Sequence, residues 1–192
     1  MDNDDEQPTA SQIDALARRI DRPIVLVGMM GVGKTSVGKR LAAALHCPFI
    51  DADEEIEAAA RMAIPEIFAQ FDEAYFRDGE RRVIARLLDE GRERKSVIAT
   101  GGGAFCNAET RGLILKKGLA VWLDSDIDTL VQRTARKENR PLLQTGDPRE
   151  ILTRLRDERR PAYAHAPIQV MSSDSPHSKT VARIVKGIAE WL

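Results

Sequence analysis

The sequence predicts an α/β domain built on a five-stranded parallel sheet with helices on both faces. Two observations carry this. Five short apolar runs recur along the 192 residues, with helix-like segments between them. One of those runs leads directly into a glycine-rich loop that opens a helix. Strand, helix, strand repeated in this way packs as parallel strands joined by helical crossovers. The length suits one compact domain with a real core.

The elements follow in chain order. Residues 1–10 are acidic and polar, carry Pro8, and are expected to be disordered. Met1 to Glu6 has no apolar stretch and does not read as a signal peptide. Ser11-Gln12-Ile13-Asp14 has the residues of a helix start, and Ile13, Leu16, Ala17 and Ile20 then share one helical face. That helix is expected to dock on the domain. Residues 1–21 thus form an N-terminal extension, partly disordered, and residues 22–192 form the domain.

Ile24-Val25-Leu26-Val27 is the first strand candidate. Pro48-Phe49-Ile50-Asp51, Val97-Ile98-Ala99-Thr100, Leu119-Ala120-Val121-Trp122-Leu123 and Ile168-Gln169-Val170-Met171 are the others. Continuous apolar runs suit strands covered on both faces. Helical patterns run from Lys34 to about Leu45 and from near Glu73 to Leu88. Asp147-Pro148-Arg149-Glu150 offers a cap, a first-position proline and a capping-box acid. Ser175-Pro176 offers the same start to the last helix, whose buried stripe is Val181, Ile184, Val185 and Ile188.

Composition narrows the function classes. Hydrophobic residues are 43%, charged residues 31%, and the net charge is −1, so no electrostatic footprint favours nucleic acid or an anionic membrane. No apolar run is long enough to span a bilayer. Two cysteines, Cys47 and Cys106, fit neither a disulfide framework nor a zinc site, and three histidines lack ligand spacing. A cytoplasmic protein with reduced thiols is expected. No exposed apolar repeat suggests a partner surface, so a monomer is expected.

Gly28-Met29-Met30-Gly31-Val32-Gly33-Lys34-Thr35 matches G-x-x-x-x-G-K-[ST], between a predicted strand and a predicted helix. Glycines let successive backbone N–H groups face one concavity, and the helix N-terminus adds partial positive charge there. Lys34 can reach the β- and γ-phosphates of a nucleotide, and Thr35 offers a hydroxyl to Mg²⁺. The nucleotide-binding set is Gly31, Val32, Gly33, Lys34, Thr35 and Ser36. The loop does not identify the acceptor. The GTPase base-reading signature Asn-Lys-x-Asp is absent from the chain, which favours a small-molecule kinase.

Further groups surround that loop in the expected topology. Asp51-Ala52-Asp53 ends the second strand, at the carboxyl edge where open α/β sheets bind ligands. Asp53 is equally readable as the N-cap of the helix containing Glu54, Glu55 and Ile56. Phe76-Arg77-x-x-Glu80 places an arginine and a glutamate one helical turn apart. Gly101-Gly102-Gly103-Ala104 ends the third strand. Arg140-Pro141-Leu142-Leu143 and Arg159-Arg160-Pro161-Ala162-Tyr163 follow.

Taken in order, G-M-M-G-V-G-K-T, F-I-D-A-D, F-R-D-G-E, G-G-G-A, R-P-L-L and R-R-P-A-Y resemble shikimate kinase over about residues 22–190. The resemblance implies a five-stranded parallel P-loop kinase with a mobile lid, here about residues 134–147. It implies transfer of the γ-phosphoryl of ATP to the 3-hydroxyl of shikimate, with Mg²⁺, in aromatic amino-acid biosynthesis. Asp53 matches the aspartate on the acceptor hydroxyls, and Arg77 and Arg159 match the arginines on the carboxylate. Gly102 and Gly103 match glycines whose backbone approaches the substrate. Asp51 and Thr35 match the metal side, Arg140 the lid arginine, and Arg133 an arginine packed near adenine. Phe68 and Phe76 match pocket-wall aromatics. Lys34, Asp53 and Arg140 are the expected catalytic set. Two alternatives stay open: another small-metabolite kinase of this scaffold, such as a gluconate kinase, and a nucleotide-binding module without catalysis.

Overall fold

The structure, a computed structural model, describes residues 7–135, 146–173 and 176–192. Five strands form one parallel sheet: β1 (Ile24–Val27), β2 (Phe49–Asp51), β3 (Val97–Ala99), β4 (Leu119–Asp124) and β5 (Ile168–Met171). Their spatial order is β2-β3-β1-β4-β5. Register follows Ile24 opposite both Val97 and Leu119, Phe49 opposite Val97, and Val121 opposite Ile168.

Burial explains which runs became central. β1, β3 and β4 are buried at every residue, as continuous Ile, Val, Leu and Ala runs require. β2 and β5 depart from the expectation of two covered faces. β2 is half-buried throughout, and β5 alternates, with Ile168 and Val170 inward and Gln169 and Met171 outward. Both lie at sheet edges, where fewer neighbours cover them.

The helices among the described residues are α1 (Ala10–Arg19), α2 (Lys34–Ala44), α3 (Ala52–Ala60), α4 (Ile64–Gln70), α5 (Glu73–Glu93), α6 (Ala108–Lys117), α7 (Ile127–Ala135), α8 (Pro148–Tyr163) and α9 (His177–Trp191). The first begins earlier than the Ser11 reading. Thr9 caps it, accepting from the Gln12 amide while the Gln12 side chain accepts from Thr9 N–H at 2.8 Å, so residue 10 is helical. Leu16, Ala17 and Ile20 are buried in the common core. α8 begins as expected, with Asp147 accepting from Arg149 N–H and Pro148 in the first turn. α9 starts one residue later than the sequence suggests, with Pro176 in the cap position and no side-chain cap bond; Ser175 lies outside the described residues. Ile184, Val185 and Ile188 are buried there and Val181 packs against the core.

α4, α6 and α7 are short, and local side-chain bonds start them. Glu66 accepts from Ala63 N–H, Asn107 from Thr110 N–H, and Asp126 from both the amide and the hydroxyl of Thr129. Thr134 and Ala135, expected at the edge of a lid, end α7, and Thr134 is buried. Most of the expected lid, with Arg140, lies outside the described residues.

The chain leaves β1, visits β2 and β3 on one side, then crosses to β4 and β5 on the other. The switch between β1 and β3 opens a crevice at their carboxyl ends, where open α/β sheets bind ligands. The loop after β1 and the glycines after β3 border it. Thr100 ties the two together by donating both its amide and its hydroxyl to the Leu26 carbonyl.

Candidate active site

The phosphate loop begins where Val27 leaves the sheet. Gly31 and Gly33 adopt φ of 85° and 96°, a backbone region closed to most side chains. That turn delivers the chain into α2 with Lys34 as its first residue. The Lys34 ammonium folds back over the loop, donating to the carbonyls of Gly28 at 2.7 Å and Met29 at 2.9 Å. It therefore stands in the loop's own concavity. Thr35 donates its hydroxyl to Asp51 Oδ2 at 3.2 Å, and Ser36 is exposed on the same first turn.

Asp51, rather than Asp53, caps α3, accepting from the Asp53 amide at 3.1 Å. This corrects the capping alternative for Asp53 and leaves the Asp53 carboxylate available to the crevice. Burial raises the Asp53 pKa, and the neighbouring charge of Asp51 raises it further, against the opposing pull of Lys34 and Arg77.

The three glycines after β3 make a floor on which charged groups rest. A β-carbon on Gly101 would lie 2.9 Å from Asp53 Oδ1, one on Gly102 would lie 3.2 Å from Arg159 Nη1, and one on Gly103 would lie 2.6 Å from Arg77 Nη2. Real β-carbons do not approach so closely to the first and last of these. Three missing side chains therefore admit one aspartate and two guanidinium groups side by side. Gly102 also faces the phosphate loop, with its β-carbon position 3.5 Å from Met30 N and 3.6 Å from Gly28 O.

Arg77 is positioned by α5. Its Nη1 donates to Glu80 at 2.7 Å, and Nε and Nη2 reach Glu73 at 3.3 and 3.2 Å. Its guanidinium carbon lies 5.2 Å from the Phe76 ring centre, and Phe76 packs on Phe68 at 4.6 Å. Phe76 is buried and Phe68 exposed, so the pair grades from core to pocket rim. Burial disfavours the Arg77 charge, but the bonds and charges of Glu80 and Glu73 together outweigh it and the net shift is upward. Glu80 is itself buried, which raises its pKa against the opposing pull of Arg77.

Arg159 comes from α8, which the Arg156–Asp124 ion pair fastens to the end of β4. Both guanidinium contacts there are short, at 2.9 and 3.1 Å. Four residues after Arg159, Tyr163 is buried against Trp122 and donates its hydroxyl to the Gly102 carbonyl. Cys106 is half-buried, with its sulfur 3.9 Å from the same carbonyl.

The later half of the phosphate loop faces a different wall. Arg133 donates to Val32 O and Ser172 Oγ at 3.2 Å each and to Ser173 O at 2.7 Å. His177 lies beside Gly33, 3.5 Å from its β-carbon position, and its Nδ1 is buried without a partner among the described residues. Burial and the charges of Arg133 and Arg40 lower the His177 pKa.

Lys34, Asp53, Arg77, Gly102, Gly103 and Arg159 thus share one crevice, while Arg133 stands at the other end of the loop. Sequence reasoning missed the depth at which Glu80 and Asp124 are buried and the bond from Tyr163 to the glycine floor. A tyrosine at the end of an amphipathic helix carries only a core-packing signal.

The pairing of Thr35 Oγ1 with Asp51 Oδ2 supplies adjacent oxygen donors suited to Mg²⁺. No cluster of three metal-ligating residues occurs among the described residues. Mg²⁺ bound with a nucleotide needs none, since phosphates and water complete its shell.

Comparisons with known proteins point to one family. The family model for shikimate kinase matches residues 30–189. A shikimate kinase of Novosphingobium aromaticivorans is 63% identical over 193 residues, covering 100% of both chains. One from Bradyrhizobium diazoefficiens is 53% identical over 96% of this chain and 86% of its own. The solved shikimate kinase of Acinetobacter baumannii in complex with shikimate superposes with a TM-score of 0.78 at 35% identity, covering 91% of this chain and 97% of that one. With matches of this extent and identity, the chain belongs to the shikimate kinase family.

Proposed function

We propose that this chain transfers the γ-phosphoryl group of ATP to the 3-hydroxyl of shikimate, giving shikimate 3-phosphate and ADP. The observation that carries the reading is the glycine floor. Two guanidinium groups and one carboxylate rest on three consecutive glycines, directly beside the phosphate loop. Shikimate has a carboxylate at one end of its ring and hydroxyls at the other. Arg77 and Arg159 offer planar donors to the carboxylate, and Asp53 offers an acceptor to the hydroxyls.

In this reading the shikimate 3-hydroxyl oxygen bonds to the γ-phosphorus as the bridging bond to ADP breaks. Phosphoryl transition states are loose, so positioning and charge stabilisation dominate. Lys34 faces the loop concavity and neutralises charge that develops on the phosphates. Asp53 orients the attacking hydroxyl and then takes its proton; the raised pKa makes it a better acceptor than an exposed aspartate. Thr35 and Asp51 would hold Mg²⁺, which when bound neutralises phosphate charge. Arg133, between Val32 and the chain after β5, would border the adenine, and Arg140 would add a cation from the lid. The domain at 22–192, a cytoplasmic location and a monomeric state complete the reading. No helix among the described residues is long and apolar enough to cross a membrane.

The test is ADP release by purified protein with ATP and Mg²⁺, with shikimate, gluconate or AMP as acceptor. Release that depends on shikimate supports the reading. Release with gluconate or AMP while shikimate is inert assigns another metabolite kinase. Folded protein that binds ATP without releasing ADP with any acceptor assigns a non-catalytic module.

A further inference from the structure

We infer that Tyr163 is a positioning residue for the substrate carboxylate: its single hydroxyl fixes the Gly102–Gly103 peptide directly beneath the Arg159 guanidinium. The inference rests on the shikimate reading and goes beyond it, because Tyr163 itself need not touch substrate.

Three consecutive glycines have more backbone freedom than any other tripeptide, so a floor made of Gly101, Gly102 and Gly103 does not hold its own shape. Something outside it must. Thr100 anchors one end to Leu26. At the middle of the floor the Tyr163 hydroxyl donates to the Gly102 carbonyl. A peptide unit is planar and trans, so its C=O and the following N–H point in opposite directions. Holding the Gly102 carbonyl toward Tyr163 therefore aims the Gly103 amide away from it.

Arg159 stands one helical turn back on α8, and its guanidinium also rests over Gly102, with Nη1 3.2 Å from the β-carbon position of that glycine. Tyr163 and Arg159 thus meet the floor at the same residue, so the helix that carries the cationic clamp also fixes the backbone beneath it. The ring cannot drift, because it is 1% exposed and lies 5.8 Å from the Trp122 ring centre. Burial raises the phenol's pKa, so the hydroxyl keeps the proton it donates.

A buried tyrosine that merely satisfies its hydroxyl predicts a different outcome, and Tyr163→Phe separates the two. The substitution keeps the ring and removes the oxygen. The expected result is a KM for shikimate raised about five- to tenfold, the scale of one lost bond to a positioned group. The KM for ATP should stay within about twofold, and the thermal midpoint should stay close to that of the unaltered chain. A shikimate KM within twofold overturns the inference. So does a parallel rise of both KM values with a lowered thermal midpoint.

A second measurement avoids substitution at the site. The chain has two tyrosines, so 3-fluorotyrosine incorporation yields two fluorine resonances, assigned with Tyr75→Phe. The Tyr163 resonance should move on addition of shikimate without nucleotide; an unmoved resonance at saturating shikimate overturns the inference. If the unaltered chain shows no shikimate-dependent ADP release, the proposed function fails and the inference with it. If that chain is active and Tyr163→Phe matches it, the inference fails alone.

Discussion

Arg77 and Glu80 stand one turn apart on α5 and meet at 2.7 Å, with the glutamate side chain 2% exposed and the arginine 26%. Both terminal nitrogens of the guanidinium border Gly103, in the crevice, and Glu80 holds one of them, Nη1. Glu73, which also reaches Arg77, is 71% exposed and a weaker competitor. Glu80→Ala should therefore release the guanidinium toward Glu73. The expected outcome is a shikimate KM raised about tenfold or more, with stability lowered by about 1–3 kcal/mol because a partly buried cation loses its partner. Steady-state kinetics and urea unfolding measure the two effects. An unchanged shikimate KM would remove Glu80 from a role in the clamp.

Asp53 carries a raised pKa whose contributions have opposite signs and separate origins. In the nucleotide-free protein, Asp51→Asn should lower the Asp53 pKa by removing a like charge, and Lys34→Met should raise it by removing an opposite one. Carboxyl ¹³C NMR titration reads both, and an unchanged Asp53 pKa in the two variants would show that burial alone sets the value.

The same raised pKa has a consequence for stability. The folded state holds the Asp53 proton more tightly than the unfolded chain does. The charged carboxylate is therefore a cost above the folded pKa, and that cost disappears as pH falls through it. Asp53→Asn should raise the thermal midpoint at neutral pH while lowering shikimate-dependent turnover by about a hundredfold or more. A lowered midpoint would mean that the carboxylate supports the fold.

Gly103 and Gly28 both exclude a side chain, for different reasons. A β-carbon on Gly103 meets the end of the Arg77 side chain, which can swing away. One on Gly28 meets the Leu123 carbonyl at 2.2 Å in a backbone at φ +137°, and neither can yield. Gly103→Ala should fold with nearly normal stability and lose shikimate affinity by about tenfold or more. Gly28→Ala should lower stability by several kcal/mol, on the order of 3–5, before any question of affinity arises. Thermal unfolding and shikimate titration of the two variants make the comparison; equal stability losses would contradict it.

Asp124 fastens α8 to the sheet through Arg156, with the carboxylate side chain 4% exposed. Asp124→Asn keeps the shape and removes the charge. It should cost about 2–4 kcal/mol in urea unfolding, and weaken shikimate binding by loosening the helix that carries Arg159 and Tyr163. A stability loss under about 0.5 kcal/mol would make the pair incidental to α8.

The sequence by itself determined the parallel sheet, the phosphate loop and the order of the motifs, because each depends on local facts. A run such as Ile24–Val27 is buried wherever it folds, and Gly33-Lys34-Thr35 opens a helix by its own chemistry. Edge position was not legible: among the described residues β5 is an edge strand with one covered face, so Gln169 and Met171 on its other face are exposed, a fact about neighbours. Asp51 and Asp53 show the same divide. Either aspartate can cap a helix, and the chain ending β2 gave that task to Asp51, leaving Asp53 to the crevice. Tertiary structure alone decided that Glu80 is buried, that Asp124 holds Arg156, and that Tyr163 reaches across 61 positions to Gly102. Those contacts join segments far apart in the chain, and no local pattern encodes a partner that arrives only when the strands are packed side by side.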